Sequence, residues 1–242
     1  MTFQLDTAMI FAAGRGERMR PLTDHCPKPL LEAGGKPLIV WQIERLAGAG
    51  MRRIVINHAW LGKQIEARLG DGARWGVQLA YSAEGEALET AGGIAQARPL
   101  LETGGSPRVF VAVSGDVFCD YDYADLQARA ARLAAAAAPG MHLVMVPNPD
   151  FHPHGDFALR ADGTLALRGK RHTFGNIGLY DTRMFHDLAP GTKRALGPYY
   201  RAAIEAGRAT GELFEGPWEN VGTPAQLAAL DARLGVGSKP AG

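Results

Sequence analysis

Residues 9–30 read MIFAAGRGERMRPLTDHCPKPL, and this stretch decides how the rest of the chain is read. The apolar run Ala8–Ala13 predicts a short buried strand. It stops at Gly14, and Gly16 follows one residue on. Glycine lets a backbone turn tightly and approach a ligand, because no Cβ intrudes. Backbone N–H groups in such a turn can cradle a phosphate. Arg15, Arg18, Arg20 and Lys28 place positive charge beside that cradle, and Pro21, Pro27 and Pro29 stiffen the segment that carries them. Strand, glycine turn and rigid basic loop together predict a polyphosphate site. A plain solvated loop after a core strand is the bland alternative, but an ordinary turn needs neither these prolines nor these arginines in register. Two familiar phosphate motifs are excluded. No G-x-x-x-x-G-K-[ST] string occurs, and a dinucleotide fingerprint would need a third glycine where Met19 stands.

Moving outward, the next segments alternate regularly. Pro37–Gly50 predicts a helix, with proline in its first turn and glycines at its end. Arg53–Asn57 is a short strand, Trp60–Leu69 a helix closed by Gly70, and Val77–Tyr81 a strand. Thr90–Leu100 is a helix stopped around Pro99, and Val109–Val113 is a fourth strand. This order predicts an α/β protein with a Rossmann-like, mixed but mainly parallel sheet and helices on both faces. Ligands in such folds sit at the carboxyl ends of the strands, where the basic loop lies.

Two further stretches fall at strand ends. Ser82–Ile94 reads SAEGEALETAGGI, and Gly92 and Gly93 would let a flat base lie against backbone; alternatively, Thr90 simply caps the helix. Ser114-Gly115-Asp116-Val117 puts a carboxylate beside a glycine, from which it can reach Mg²⁺ held among phosphate oxygens and water, although Gly-Asp is also common in turns. Asp120 and Asp122 are expected on a loop capping a helix over Tyr123–Ala138, whose alanine run is filler. The pattern then changes. His142–Pro147 predicts a strand, Phe157–Arg160 and Thr164–Arg168 a hairpin about Ala161-Asp162-Gly163, and Phe174–Tyr180 a further strand. His152 and His154 are spaced for one strand face, but Pro153 separates them and no zinc pattern accompanies them, so they read as loop residues. Lys193–Ala206 predicts a helix, Thr210–Phe214 a strand, and Thr223-Pro224 starts a last helix to about Leu234, with residues 235–242 expected to be a flexible tail.

Composition bounds the function. The chain has 242 residues, 46% hydrophobic and 21% charged, with a formal net charge of +1, so it has no bulk basic field for nucleic acid. Cys26 and Cys119 are far apart and in no metal spacing, which predicts reduced thiols and a cytoplasmic location. Nothing at the start reads as a signal peptide, and no run is long enough for a membrane span.

The string G-x-G-x-R-M-x-P-L-T-x-x-x-P-K-P over Gly14–Pro29 resembles the signature of the sugar-phosphate nucleotidyltransferases. The resemblance runs over about residues 7–234, a single nucleotidyltransferase domain with a nucleotide-binding half at about 1–122 and a small sugar-binding β subregion at about 141–222. It implies that Ala12, Ala13, Gly14 and Gly16 lie against a nucleotide, that Arg18 holds the departing pyrophosphate, and that Lys28 holds the α-phosphate and the sugar phosphate. The family's L-G-T-A-G string, which meets base and ribose, is matched by Leu88-Glu89-Thr90-Ala91-Gly92, so Glu89, Gly92 and Gly93 become nucleotide contacts. Asp116 matches its metal-binding aspartate, and Gly155, Asp156 and Asn176 fall where the sugar is held. Two departures stand out. Arg168-Gly169-Lys170-Arg171 replaces the family's E-K-P, and Asn220 stands where W-x-D-x-G-T carries a second metal aspartate. Either Asn220 serves as a neutral ligand, or Glu219 substitutes, or Asp116 and phosphates hold the metal alone. The expected reaction is Mg²⁺-dependent transfer from an NTP to a sugar 1-phosphate, by a monomer or small homo-oligomer. INHAWLG (Ile56–Gly62) and YSAEGEALETAGGI point most to members that take UTP and N-acetylmuramate 1-phosphate. Mannose-1-phosphate guanylyltransferases and glucose-1-phosphate uridylyl- or thymidylyltransferases remain alternatives. A non-catalytic nucleotide-sugar sensor on the same fold should have lost Arg18, Lys28 or Asp116, and all three are present.

Overall fold

The structure, a computed structural model, describes residues 3–103 and 108–236. The first apolar run forms β1 (Thr7–Phe11), ending before Ala13 because the Ala12 N–H turns to the Asn57 side chain. The basic loop follows as three single turns of 3₁₀ helix, Glu17–Met19, Leu22–Asp24 and Lys28–Leu30. A two-residue hairpin, β2 (Glu32–Ala33) and β3 (Lys36–Pro37), leads into α1 (Leu38–Gly48). Then come β4 (Arg53–His58), α2 (Gly62–Leu69), β5 (Gln78–Ala83), α3 (Glu89–Leu101) and β6 (Val109–Ser114). Pro99 lies inside α3 rather than stopping it. So near the C-terminal end it removes a single backbone bond, and its ring faces solvent.

After β6 come β7 (Val117–Cys119), a 3₁₀ turn at Tyr123–Leu126 capped by the Asp122 side chain, and α4 (Gln127–Ala135). α4 is shorter than the alanine run suggested, because Ala136 turns extended. The second half contains β8 (Met141–Val146), the hairpin β9 (Phe157–Leu159) and β10 (Leu165–Ala166), and the long β11 (Arg171–Asp181). It closes with α5 (Gly197–Glu205), β12 (Ala209–Leu213), β13 (Trp218–Asn220) and α6 (Pro224–Val236). α5 begins four residues later than Lys193. Its expected first turn is drawn off to bond α3: Arg194 N–H donates to Leu88 O, and Gly92 N–H to Arg194 O. Gly235 and Val236 belong to α6, and the rest of the expected tail lies outside the described residues.

Among the described residues one sheet has nine strands. β5, β4, β1 and β6 are mutually parallel, in that order. β11 joins β6 antiparallel, β8 pairs β11 antiparallel, and β12 pairs β8 parallel. Strand alternation divides the core between two faces. Ala8 and Ile10 of β1 face Ile39, Ile43 and Leu46 of α1 and Ile65 of α2. Met9 faces the opposite side, with Ile94 and Ala95 of α3 and Ala203 and Ile204 of α5. Smaller packing around Met19, Leu38, Phe118, Val221 and Leu230 fixes the basic loop and α6 to the same end of the molecule. The mixed, mainly parallel sheet with helices on both faces is the architecture the sequence predicts.

Candidate active site

The carboxyl ends of β1, β4 and β6 point to one edge of the sheet, and the basic loop rises from the first. At Gly16 φ is +70°, and a Cβ would lie 2.9 Å from the Thr23 methyl and 3.2 Å from Lys28 Cβ. Only glycine suits both the left-handed backbone and the close approach. This packing sets the root of Lys28. Its ammonium forms an ion pair with Asp116 Oδ2, the side chains being 12% and 25% exposed. Asp116 sits just past β6, where the Gly115 N–H donates to Phe11 O at 2.9 Å and locks the turn against β1.

β7 and β13 pair antiparallel, with Val117 opposite Asn220, and Val221 N–H donates to Asp116 O at 3.0 Å. Asn220 therefore stands one rung from Asp116. Glu219 faces the other way, ion-paired to Arg233, as strand alternation requires. The Arg18 guanidinium lies against Gly222, with Nη2 3.2 Å from where a Cβ there would be. Arg18 has no carboxylate partner among the described residues, whereas Arg15 and Arg20 both bond Asp24. So the structure pairs Lys28 with Asp116, sets the Asn220 backbone one rung away, and lays Arg18 on Gly222, two residues beyond Asn220.

The residues around Ser82–Ile94 are placed differently. Glu89 is exposed, with φ +60°, at the position where the resembling string has glycine. Gly92 and Gly93 are buried inside α3 against protein. A Cβ on Gly92 would lie 2.3 Å from Thr192 O, and one on Gly93 2.6 Å from Glu84 Oε1. Packing within the chain accounts for both glycines. Two side chains in this region lie within strings read above but were given no role of their own. Asn57 Oδ1 accepts from Ala12 N–H at 3.1 Å, its amide donates to Glu84 Oε1 at 2.6 Å, and Glu84 Oε2 accepts from Leu88 N–H. Burial pushes the Glu84 carboxyl up, against the opposing hydrogen bonds from Leu88 and Asn57. Asn57 follows an unremarkable apolar run, so only the strand register reveals its place.

In the second half, Gly155 has φ +57°, and a Cβ would lie 2.6 Å from Asn148 Oδ1. Asp156 Oδ2 accepts from Phe174 N–H at 2.7 Å, and its other oxygen faces His152 Nε2 at 3.2 Å. Asn176, with φ +57°, sits in the β-bulge between Phe174 and Ile177. A bulge re-aims a side chain out of the strand's alternation. A cleft of about 470 Å³ opens on the far side of Asn148, lined by Asn148, Phe151, Trp218, Asn220 and Gln226 among others, but not by Gly155, Asp156 or Asn176. Of these lining residues, Asn148, Phe151 and Gln226 were not singled out in the sequence. Gln226 Oε1 accepts from Gly222 N–H at 2.8 Å, which steadies the turn beneath Arg18.

Magnesium takes few protein ligands, commonly one or two carboxylates plus phosphate oxygens and water. Among the described residues no group of three acidic, histidine or cysteine side chains is gathered to hold a metal by itself. The Asp116 carboxylate, already beside a cation in the form of the Lys28 ammonium and one rung from Asn220, fits such an ion. Cys26 in the loop is a poor nucleophile, since burial and the Glu32 charge push its thiol up.

A family model described as Nucleotidyl transferase matches residues 7–158. The chain belongs to the nucleotidyl transferase family. This nucleotidyl transferase is 48% identical over 236 residues to the N-acetylmuramate alpha-1-phosphate uridylyltransferase of Neisseria meningitidis serogroup B, covering 95% of this chain and 98% of that one. It is 33% identical over 239 residues to the protein of the same description from Caulobacter vibrioides, covering 94% and 96%. In fold, it matches a putative glucose-1-phosphate thymidylyltransferase from Bacillus anthracis, crystallised with sucrose, at a TM-score of 0.76 and 22% identity, over 96% of this chain and 95% of that one.

Proposed function

We propose that this protein transfers a uridylyl group from UTP to N-acetylmuramate α-1-phosphate, giving UDP-N-acetylmuramate and pyrophosphate. The observation that carries the reaction is the meeting of Lys28 and Asp116 beside the open glycine loop, with Asn220 one rung away and Arg18 unpaired. The substrate pair is supported by similarity over nearly the full length of both chains to the Neisseria protein.

Charge governs the mechanism. An oxygen of the sugar phosphate, anionic near neutral pH, attacks the α-phosphorus in line, and the bond from that phosphorus to the bridging oxygen breaks. Little proton transfer is needed, so catalysis consists of positioning and neutralising charge. Lys28 leaves Asp116 and holds the two reacting phosphates together. Arg18 meets the developing charge on pyrophosphate. Backbone at Ala12, Ala13, Gly14 and Gly16 lines the nucleotide, with Glu89 at the rim. Asp116 and the Asn220 carbonyl would hold Mg²⁺, which would supply positive charge to the phosphate oxygens. Gly155, Asp156 and Asn176 frame the sugar, with Asp156 acting through the backbone it fixes. We place the enzyme in the cytoplasm, which suits the free thiols of Cys26 and Cys119.

The test is magnesium-dependent pyrophosphate release with UTP, dTTP, GTP, CTP and ATP, each against the 1-phosphates of N-acetylmuramate, glucose, N-acetylglucosamine and mannose. Turnover chiefly with UTP and N-acetylmuramate 1-phosphate is expected. Preference for another pair would remove the substrate assignment and keep the reaction. A folded protein that binds nucleotide without turnover would make it a sensor.

A further inference from the structure

The turn between β4 and α2, His58-Ala59-Trp60-Leu61-Gly62, takes no part in the chemistry above, yet it is built with care. Leu61 adopts φ +52°, a conformation that a branched side chain rarely takes. The His58 ring lies so close to Gly62 that a Cβ there would fall 1.9 Å from its Nδ1. His58 Nε2 is in turn 2.8 Å from Glu66 Oε1, one turn into α2. These contacts fix the direction in which Trp60 and Gln64 project.

Both reach the basic loop. Trp60 Nε1 donates to Thr23 O at 3.0 Å, and Gln64 Nε2 donates to His25 O at 3.1 Å. The Arg15 guanidinium stacks on the Trp60 ring, 3.9 Å from its centroid, and donates to the same Thr23 carbonyl at 2.7 Å. Thr23 Oγ1 donates to Gly16 O at 2.9 Å, and Gly16 packs on the root of Lys28. A continuous chain of contacts therefore runs from Trp60 through Thr23 and Gly16 to Lys28. Trp60 remains 38% exposed, so burial of its own surface does not explain why so large a ring stands here.

We propose that Trp60 is a positioning residue of the phosphate loop. Its indole N–H and ring hold Thr23 and Arg15, so that the Gly14–Lys28 backbone is shaped for a triphosphate before one arrives. Arg15 and Arg20 thereby belong to the frame, bound to Thr23, Trp60 and Asp24, and Arg18 is the loop arginine left for the ligand. This rests on the reading of the loop as a nucleoside triphosphate site. A loop held in shape binds its ligand without the cost of ordering it, and small displacements of such a frame lower rates strongly.

The test compares wild type, Trp60→Ala, Trp60→Phe and Gln64→Ala for the KM of each substrate, kcat, melting temperature, and the Kd of UTP by calorimetry. Trp60→Ala is expected to raise the nucleotide KM and Kd by about ten-fold, while the KM of the sugar 1-phosphate stays within about two-fold. Trp60→Phe keeps a ring beneath Arg15 but loses the N–H donor, and should fall between wild type and alanine. Gln64→Ala should show a smaller rise of the same kind. Should Trp60→Ala fail to fold, Trp60→Phe and Gln64→Ala decide alone. Unchanged nucleotide KM and Kd in the folded variants overturn the proposal, as does an equal rise for both substrates. A wild type that binds UTP without turning over any sugar 1-phosphate would refute the reaction, while the Kd series would still decide the role of Trp60. A wild type with no affinity for UTP or any other NTP would overturn both.

Discussion

Lys28 and Asp116 stand 88 positions apart and meet because one glycine-shaped loop and one strand end are brought to the same edge of the sheet. Each charge is assigned a task that appears only when phosphates arrive, so each should matter far more for turnover than for folding. Lys28→Ala and Asp116→Ala are expected to lower kcat by on the order of 10²–10³ with the melting temperature little changed. Stopped pyrophosphate release in a folded variant, compared with wild type, checks this; normal turnover by folded Lys28→Ala would remove its role. Asn220 departs from the resembling pattern at the place of its second metal aspartate. Its backbone lies one rung from Asp116, while Glu219 is committed to Arg233, so the proposed second ligand would be an uncharged amide. Asn220→Asp should therefore lower the Mg²⁺ concentration needed for half-maximal rate, and an unchanged magnesium titration would take Asn220 out of the metal site. These residues could be read from the string of motifs. The parts played by Asn57 and Glu84 could not, since Asn57 meets Ala12 across a strand register and Glu84 then bonds Asn57, which no local pattern encodes.

At the scale of elements, the longer strands and helices were legible because each carries enough apolar positions to show its period. What escaped notice was too short to have one. The β2–β3 hairpin and the β7–β13 ladder are two or three residues long, yet the second is what sets Asn220 beside Asp116. The late start of α5 was hidden for another reason: residues 192–194 are taken by α3, a tertiary demand that overrides local propensity. β12 supplies an element-level prediction. Glu212 on this strand receives the Tyr121 hydroxyl and the Arg129 guanidinium and faces the His142 ring. Burial acts to raise its carboxyl, but His142, Tyr121 and Arg129 outweigh burial and hold it at about 2, against an ordinary 4.5. Because the folded state binds the proton less tightly than the unfolded state, this carboxylate stabilises the protein above about pH 4.5, and the contribution is lost as pH falls toward about 2. Melting temperature against pH should therefore fall more steeply across that interval in wild type than in Glu212→Gln. Parallel curves would contradict the assignment.

At the scale of the whole molecule, the nucleotide and sugar regions share a single sheet. β11 from the second half pairs with β6 from the first, Ile177 opposite Val113 through Asp181 opposite Val109. One apolar core takes in Ile10 and Val111 together with Val144, Ile177 and Leu179. A fragment of residues 1–122 would expose the edge of β6 and lose those core partners, so it should show no cooperative melting transition; a sharp one would make the first half an independent unit. The arrangement also suits the proposed reaction, in which the loop after β1 takes the nucleotide and the β8–β11 region the second substrate, with both halves on one sheet. The central claim, that this shared edge joins an NTP to a sugar 1-phosphate, is tested most directly by measuring UDP-N-acetylmuramate and pyrophosphate together, from UTP and N-acetylmuramate 1-phosphate, with and without Mg²⁺. The account predicts the two products in equal amounts and only with the metal. Failure to form either product from folded, nucleotide-binding protein, with these or the other sugar 1-phosphates, would contradict it.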